Sequence, residues 1–139
     1  MAEQHYPEPA CGALIFNPEN KIFLMKSHKW KGKYVIPGGH IEWGETMKDA
    51  IKREAKEETD LDIEDPQLIL FQEFIFDDAF YKKKHFIFFD FVCKTRSAKV
   101  TLNEEGQEYV WVSIPEALQL PIDPYTRKTI EEYLKLKKK

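Results

Sequence analysis

The sequence predicts an α+β domain in which a central mixed β-sheet is covered by helices on both faces. Three observations support this fold class: strand-like apolar runs in the N-terminal third, one long central segment of helix-forming residues, and further strands followed by a C-terminal helix. A chain of 139 residues has room for one domain, here residues 1–139, and not comfortably for two.

The N-terminal third predicts a hairpin followed by a basic loop. Residues 10–16 are apolar and end at the turn sequence Asn-Pro-Glu-Asn, after which residues 21–25 predict the partner strand. The loop 26–33 is rich in lysine, and residues 34–36 predict a short strand that leads into Gly38 and Gly39.

The remaining elements alternate between helix and strand. Residues 46–59 lack glycine and proline and are rich in helix formers, so they predict the central helix. Strands are predicted at 68–76, 85–94 and 109–112, with a polar turn at 77–84. Pro115 predicts a short helix, and Asp123 with Pro124 predicts the N-cap and first residue of a terminal helix.

Composition and charge exclude several classes of function. Hydrophobic residues make up 42% and charged residues 32%, as in soluble globular proteins, and the net charge of −3 argues against a binder of nucleic acid or anionic membranes. Residues 1–10 lack the pattern of a signal peptide, and no apolar stretch is long enough to span a bilayer. Cys11 and Cys93 lie in apolar runs without metal-ligand spacing. We therefore expect a cytoplasmic protein with reduced, buried thiols.

The central helix carries acids on the side that should face the core. At 100° per residue, the stripe of residues 47, 50 and 51 is continued by Glu54, Glu57 and Glu58, whereas lysines and Thr59 fall on the opposite side. Inward carboxylates repel one another and are costly to desolvate unless a cation meets them, and Mg²⁺ or Mn²⁺ prefers such oxygen ligands. The alternative is a set of solvated or lysine-paired acids, which the placement of the lysines disfavours.

Residues 39–61, GHIEWGETMKDAIKREAKEETDL, resemble the Nudix box, a motif of hydrolases that cleave a nucleoside diphosphate linked to another group. The matching positions are Gly39, Glu45, Arg53, Glu54, Glu57, Glu58 and Leu61. Two positions depart from the pattern: Asp60 replaces a glycine, and Ala55 replaces a larger aliphatic residue. Because neither change removes a carboxylate, we expect an altered helix end and an intact metal site.

The resemblance implies a Nudix-type α/β/α sandwich and a set of roles for the matched residues. Glu54, Glu57, Glu58 and the Gly38 carbonyl would bind Mg²⁺ or Mn²⁺, and Glu45 and Arg53 would support them, with Arg53 orienting Glu54. The general base varies within the family and would be Glu54 or a glutamate of a later loop. The segment 103–111, NEEGQEYVW, resembles that loop in nucleoside-triphosphate-cleaving members, so Glu105 is matched to the base, with Glu104 and Glu108 as rivals.

Residues that would bind the substrate are less well specified. The basic residues of the loop 26–33 are candidates for phosphate contacts, and a solvated loop is the alternative for each. These candidates are Lys26, His28, Lys29, Lys31 and Lys33. Asp90 interrupts an apolar strand and would either read a base edge or serve as a structural carboxylate. Several aromatic residues would either stack on a nucleobase or pack in the core: Trp30, Tyr34, Phe80, Tyr81 and Phe86.

The sequence favours a Mg²⁺-dependent hydrolase that converts a nucleoside triphosphate to a monophosphate and pyrophosphate, as house-cleaning enzymes do. Within the same chemistry, ADP-ribose or another nucleoside-diphosphate compound is the alternative substrate. A catalytically silent Nudix domain that binds a nucleotide or a protein is the alternative of another class. The expected partner is a small nucleotide, without nucleic acid or membrane, and resemblance alone suggests a homodimer.

Overall fold

A computed structural model of the protein describes residues 5–138. Residues 1–4 and 139 lie outside it, so the prediction of a single domain over 1–139 and that of no signal peptide fall partly on residues it does not describe. The strands are β1 (Glu8–Phe16), β2 (Ile22–Ser27), β3 (Lys33–Val35), β4 (Gly38–His40), β5 (Ile63–Ile75), β6 (His85–Thr95) and β7 (Glu108–Val112). The helices are α1 (Met47–Thr59), α2 (Ile114–Ala117) and α3 (Pro124–Lys137).

The strands form one mixed sheet with β1 near its centre. The order is β3-β2-β1-β6-β5, with β4 paired to β1 and β7 paired to β2. Strand β1 runs parallel to β6 and antiparallel to β2 and β4. A parallel neighbour needs a long crossover, which is why α1 and β5 lie between β1 and β6 in the sequence.

The core has two layers because β1 is buried on both faces. Side chains of β1 alternate, so that Ala13 and Ile15 pack with α1, while Leu14 and Phe16 pack in the cluster that contains Ile130 of α3. This explains the uninterrupted apolar run that predicted the strand. The predicted sandwich of a mixed sheet between helices is confirmed.

Two glycines and one acid of the site are paired in one row across three neighbouring strands. Gly12 of β1 is paired with Gly38 of β4 on one side and with Asp90 of β6 on the other. The added Cβ of an alanine at position 12 would lie 2.7 Å from Asp90 Oδ1, so this carboxylate requires glycine beside it.

Both ends of α1 have local causes. The Thr46 hydroxyl accepts a hydrogen bond from Asp49 N–H as the N-cap. Asp60 adopts the left-handed conformation (φ 62°) as the C-cap, and its N–H donates to Lys56 O at 2.9 Å. The residue that replaces the box glycine therefore keeps the glycine's backbone conformation.

The structure corrects the sequence-based description at several points. Thr59 is buried rather than on the outer side, because its hydroxyl donates to Ala55 O and accepts from Leu61 N–H at the end of the helix. Met47, expected in the core stripe, is exposed in the first turn. Strand β5 begins five residues before the predicted start, and β4 was not predicted. No helix between residues 5 and 138 is long and apolar enough to cross a membrane.

Candidate active site

A cavity of about 340 Å³ lies where β1, β4 and α1 meet the loops that follow β2 and precede β7. Acids of the central helix line one wall, namely Glu54, Glu57 and Glu58, and the loop acids Glu104 and Glu105 lie at its rim. Aromatic residues line another part of the cavity: Trp30, Phe80, Phe86, Phe88 and Tyr125. The acidic residues thus share one cavity with three of the predicted aromatic residues, whereas Tyr34 and Tyr81 are not among the described residues that line it.

Arg53 fixes the positions of two acidic residues, Glu45 before α1 and Glu54 within α1. Its Nε and Nη2 donate to the two oxygens of Glu45 at 2.7 and 2.9 Å, and its Nη1 donates to Glu54 Oε1 at 2.9 Å. Nη2 also donates to the His40 carbonyl at 3.0 Å, so the guanidinium joins β4 to α1. These bonds lower the pKa of Glu45 to about 2. The predicted supporting pair, Glu45 and Arg53, therefore lies beside Glu54 in the structure.

Glu58 is the most buried of the three helix carboxylates, with a relative exposure of 4%. Its Oε1 accepts a hydrogen bond from the Gly38 N–H at 2.8 Å, which connects the helix to the glycine pair. Burial raises the pKa of Glu58 well above its ordinary value, and the neighbouring Glu54 carboxylate adds to this effect. A desolvated acid close to another acid is an environment that a bound cation would stabilise.

Because Gly39 has no side chain, the Glu54 carboxylate can lie directly against the backbone at this position. A Cβ at position 39 would lie 2.5 Å from Glu54 Cδ and 2.6 Å from both carboxylate oxygens. Burial raises the pKa of Glu54, while its contact with Arg53 opposes the shift. The first glycine of the resembled motif is thus explained by the close approach of a carboxylate to the backbone of β4.

The side chains present fit a hard divalent cation. Glu54, Glu57 and Glu58 offer carboxylate oxygens on one face of α1, and Gly38 and Gly39 lie against that face without side chains in the way. In the part of the chain that the structure describes, no three acidic, His or Cys side chains are already gathered as a ligand set. The Glu57 side chain is 55% exposed and contacts Arg53 Nη1 at 3.3 Å.

The rival loop glutamates have different surroundings. Glu105 lines the cavity, and its Oε1 accepts a hydrogen bond from Lys29 Nζ at 2.7 Å. Glu104 also lines the cavity and is exposed. Glu108 forms an ion pair with Lys26 at 2.8 Å and is not among the described residues that line the cavity. The position of Glu105 is therefore compatible with the base role that the resemblance implies.

The basic loop contributes one of its five candidate residues to the cavity. Among the residues described, those lining the cavity include Lys29 and exclude Lys26, His28 and Lys33. The His28 ring packs near Tyr81, and Lys33 is exposed at the start of β3. A short 3₁₀ turn, His28–Trp30, directs Lys29 inward, and a run of alternating lysines gives no sign of such a turn.

Asp90 lies at the inner end of the cavity and is 4% exposed. Its Oδ2 is within hydrogen-bond distance of Gln72 Nε2 at 2.9 Å and Thr129 Oγ1 at 3.0 Å. The cavity residues Tyr125 and Thr129 come from α3, and the sequence offered no signal that this helix would contribute to the site.

Comparison with known proteins places this architecture. A family model described as the NUDIX domain matches residues 6–133. The uncharacterized Nudix hydrolase YvcI of Bacillus subtilis is 28% identical over 110 residues, which cover 79% of this chain and 69% of YvcI. The nucleoside triphosphatase NudI of Escherichia coli K12 is 30% identical over 110 residues, which cover 71% of this chain and 74% of NudI. The MutT protein of Methanosarcina mazei Go1 superposes with a TM-score of 0.78 at 26% identity, covering 99% of this chain and 100% of that one.

A mixed sheet between helices, with the glutamates of one helix lining a cavity, defines the class of Nudix pyrophosphohydrolases. The chain belongs to the Nudix family, because the family model spans nearly the whole sequence. The resemblance seen in residues 39–61 is therefore confirmed.

Proposed function

We propose that the protein is a Mg²⁺-dependent pyrophosphohydrolase that converts a nucleoside triphosphate to a monophosphate and pyrophosphate. The observation that carries the proposal is the cavity, which combines the acidic face of α1 with an aromatic-lined inner part. A triphosphate with its metal fits the acidic end, and a nucleobase fits among aromatic rings. The similarity to a nucleoside triphosphatase supports the same substrate class.

In this proposal the helix acids hold the cation and the surrounding residues hold the acids. Glu54, Glu57, Glu58 and the Gly38 carbonyl would be the ligands, and Mn²⁺ would substitute for Mg²⁺. The bound cation supplies charge neutralisation for the phosphate oxygens and lowers the pKa of the attacking water. Arg53 acts as a positioning residue, because its bonds to Glu45, Glu54 and the His40 carbonyl fix the carboxylate against β4.

The proton of the attacking water would pass to Glu105, with Glu54 as the alternative base. Glu105 is at the rim of the cavity on a loop whose backbone is fixed to its neighbours: Asn103 N–H donates to Glu58 O, and Gln107 N–H donates to Lys26 O. A base held by such a loop stays close to the helix carboxylates. Glu105→Gln and Glu54→Gln are distinguished by the pH dependence of kcat/KM, since only loss of the base removes its acidic limb.

A product analysis with a substrate panel tests the function. The protein with Mg²⁺ is incubated with the common nucleoside triphosphates, oxidised nucleoside triphosphates, ADP-ribose, dinucleoside polyphosphates and nucleotide sugars. We expect a monophosphate and pyrophosphate from a triphosphate. Preferential cleavage of ADP-ribose or a nucleotide sugar would contradict the triphosphate proposal, and turnover of none of them by the folded protein would favour a silent binding domain.

Two helix variants test the metal ligands. Glu57→Gln and Glu58→Gln should lower Mg²⁺-dependent turnover by at least about 100-fold and weaken Mn²⁺ binding, because each loses a charged oxygen ligand. The matched control is Glu64→Gln, which removes an exposed carboxylate paired with Arg96 and should leave both quantities unchanged. Near-normal turnover in either helix variant would show that the ligand assignment is wrong.

A cytoplasmic location and a homodimer are further parts of the proposal. Cys11 and Cys93 are both buried and unpaired, which suits a reducing compartment. Light scattering at several concentrations measures the oligomeric state, and a monomer at every concentration would contradict the dimer.

A further inference from the structure

The inner end of the cavity contains a carboxylate oxygen for which the described residues provide no hydrogen bond. Asp90 Oδ2 is occupied by the Gln72 amide and the Thr129 hydroxyl. No donor from residues 5–138 reaches Oδ1, although the whole residue is only 4% exposed. Among the described residues, the fully buried side-chain oxygen without a partner is Gln72 Oε1, so Asp90 Oδ1 remains accessible from the cavity, where a donor on a ligand would reach it.

Oδ1 is directed toward the side of the cavity formed by β1 and the segment after β3. The nearest atoms to a Cβ built on Gly12 are Asp90 Oδ1 at 2.7 Å and Ile36 Cδ1 at 2.9 Å. Gly12, Ile36 and Asp90 all line the cavity, so this oxygen adjoins the space that a ligand would fill. The absence of a side chain at position 12 leaves room for the Asp90 carboxylate and the Ile36 side chain.

Aromatic residues surround the same end of the cavity. Trp30 lies 4.8 Å from Phe80, 6.0 Å from Phe88 and 6.3 Å from Tyr125, measured between ring centroids. Flat apolar walls beside the free acceptor of Asp90 suit a planar heterocycle with a polar edge.

We propose that Asp90 Oδ1 reads the edge of the nucleobase and selects bases that present an exocyclic amino group over bases that present a carbonyl oxygen at that place. The proposal rests on the proposed function and names its substrate class: triphosphates of amino-bearing bases, such as cytosine and adenine, rather than their oxo counterparts uracil and hypoxanthine.

The chemistry of the acceptor explains the direction of this preference. Burial raises the pKa of Asp90 to about 6, with the Gln72 and Thr129 bonds opposing the shift, so the carboxyl is ionised at neutral pH. An ionised carboxylate only accepts hydrogen bonds. An amino group satisfies it, whereas a carbonyl oxygen would place two acceptors against each other.

Matched substrate pairs measure the preference in the wild-type protein. CTP and UTP differ at the base edge, as do ATP and ITP, and the triphosphate is the same in all four. We expect kcat/KM to favour CTP over UTP, or ATP over ITP, by at least about tenfold, the size expected for one hydrogen bond to a charged group. Equal values within both pairs, in an enzyme that hydrolyses triphosphates, would overturn the inference.

Asp90→Asn should invert the preference. The Asn oxygen would accept from Gln72 and Thr129, because the opposite orientation sets two amide NH₂ groups against each other, and the NH₂ would then face the cavity. A donor at that point favours UTP and ITP over CTP and ATP. Asp62→Asn makes the same chemical change at a side chain that is 87% exposed and should keep the wild-type ratio.

A binding measurement keeps the inference separate from the proposed function. Calorimetric titration with cytidine and uridine monophosphates in EDTA should show tighter binding of the cytidine compound to wild type and the reverse for Asp90→Asn. If no triphosphate is hydrolysed but this pattern appears, the proposed function fails and the base assignment holds. If triphosphates are hydrolysed and Asp90→Asn, with an unfolding transition like that of wild type, keeps the wild-type ratio, the base assignment fails alone.

Discussion

The Lys29 ammonium lies 2.7 Å from the Glu105 carboxylate, and this ion pair connects two loops whose residues are 76 positions apart in the chain. Both side chains are about one-third exposed, so water does not fully screen the pair. The same lysine acts favourably on the buried Glu58 carboxylate. Lys29 is thus a fixed positive charge within an acidic cavity, where it would compete with a metal ion and attract a phosphate.

Removal of this charge should change the affinities for metal and substrate in opposite directions. In Lys29→Met the acidic residues lose their internal counter-ion, so Mn²⁺ should bind more tightly, by about three- to tenfold, while KM for the triphosphate should rise by about tenfold. Calorimetric titration with Mn²⁺ and steady-state kinetics measure the two quantities.

A purely structural role for Lys29 would give a different result. Loop disorder would weaken metal binding and substrate binding together, so a fall in Mn²⁺ affinity would contradict the prediction. Lys82→Met removes a lysine at the exposed tip of the β5–β6 hairpin, where it packs over Tyr81, and serves as the matched control.

Gly39→Ala should lower turnover by on the order of 100-fold, since displacement by about 1 Å of a carboxylate with the metal-ligand role proposed for Glu54 has effects of this size. The new Cβ would overlap the Glu54 carboxylate, which lies 2.5–2.6 Å from its position. Single-turnover rates with Mg²⁺ measure the effect. Glu54→Asp shortens the side chain, so the double variant Gly39→Ala/Glu54→Asp should lose less activity than the sum of the single effects. Strict additivity would show that the two positions do not interfere.

Asp60→Gly should increase the free energy of unfolding by about 0.5–1 kcal/mol, because glycine adopts the left-handed C-cap conformation without the cost that a side chain imposes. The ion pair that Asp60 forms with Lys56 is exposed and contributes little to stability. Urea denaturation measures the change. Asp60→Ala is the matched control and should be destabilising, since alanine keeps the Cβ and lacks the short polar side chain that makes Asp tolerant of the left-handed conformation. A loss of stability in Asp60→Gly would contradict the role assigned to this backbone conformation.

The stability of Asp90→Asn relative to wild type should depend on pH. The pKa of Asp90 is raised from 3.8 to about 6 by burial, and Asp123 at the start of α3 adds to the shift. The folded protein therefore binds this proton more tightly than the unfolded chain does. Its contribution to stability is complete below pH 3.8 and is lost as the pH rises through about 6, by up to about 3 kcal/mol.

Urea denaturation of both proteins between pH 4 and pH 7 measures that difference. Other acids with raised pKa values, such as Glu54 and Glu58, are common to both proteins and cancel in the comparison. We expect the Asn variant to gain on wild type as the pH rises, and a constant difference would contradict the prediction.

Local signals in the sequence predicted most of the fold and the acidic part of the site. The apolar run of β1 and the helical period of α1 are local patterns, and Asp123 is the N-cap of α3 as expected. Thr46, predicted as the first residue of the central helix, is its N-cap. Strand β4 was not predicted because it is short and begins with glycines, which disfavour strands in isolation. It forms only through its pairing with β1. Thr59 was predicted on the outer side of α1 because a projection at 100° per residue does not represent the last turn of the helix, where the chain turns back into the core.

The part of the site that depends on tertiary contacts could not be read from the sequence. Lys29 enters the cavity through a single 3₁₀ turn, while its neighbours Lys26 and Lys33 point elsewhere, and no periodic pattern separates them. The partners of Asp90 come from β5 and α3, which are distant in the chain. In the sequence, Asp90 is recognisable as an acid within an apolar strand. Only the tertiary contacts show that these partners bond to Oδ2 and leave Oδ1 free.

The row of paired residues Gly38, Gly12 and Asp90 sets a fixed distance across the sheet. Hydrogen-bonded strands are about 4.8 Å apart, so two strand spacings separate the glycine beside the acidic helix from the acid at the inner end by about 10 Å. No loop contributes to this distance, and changes of loop length leave it unaltered. If Asp90 reads a base as proposed, its distance from the phosphates would be set by the backbone of the sheet, and only a shift of strand register would change it.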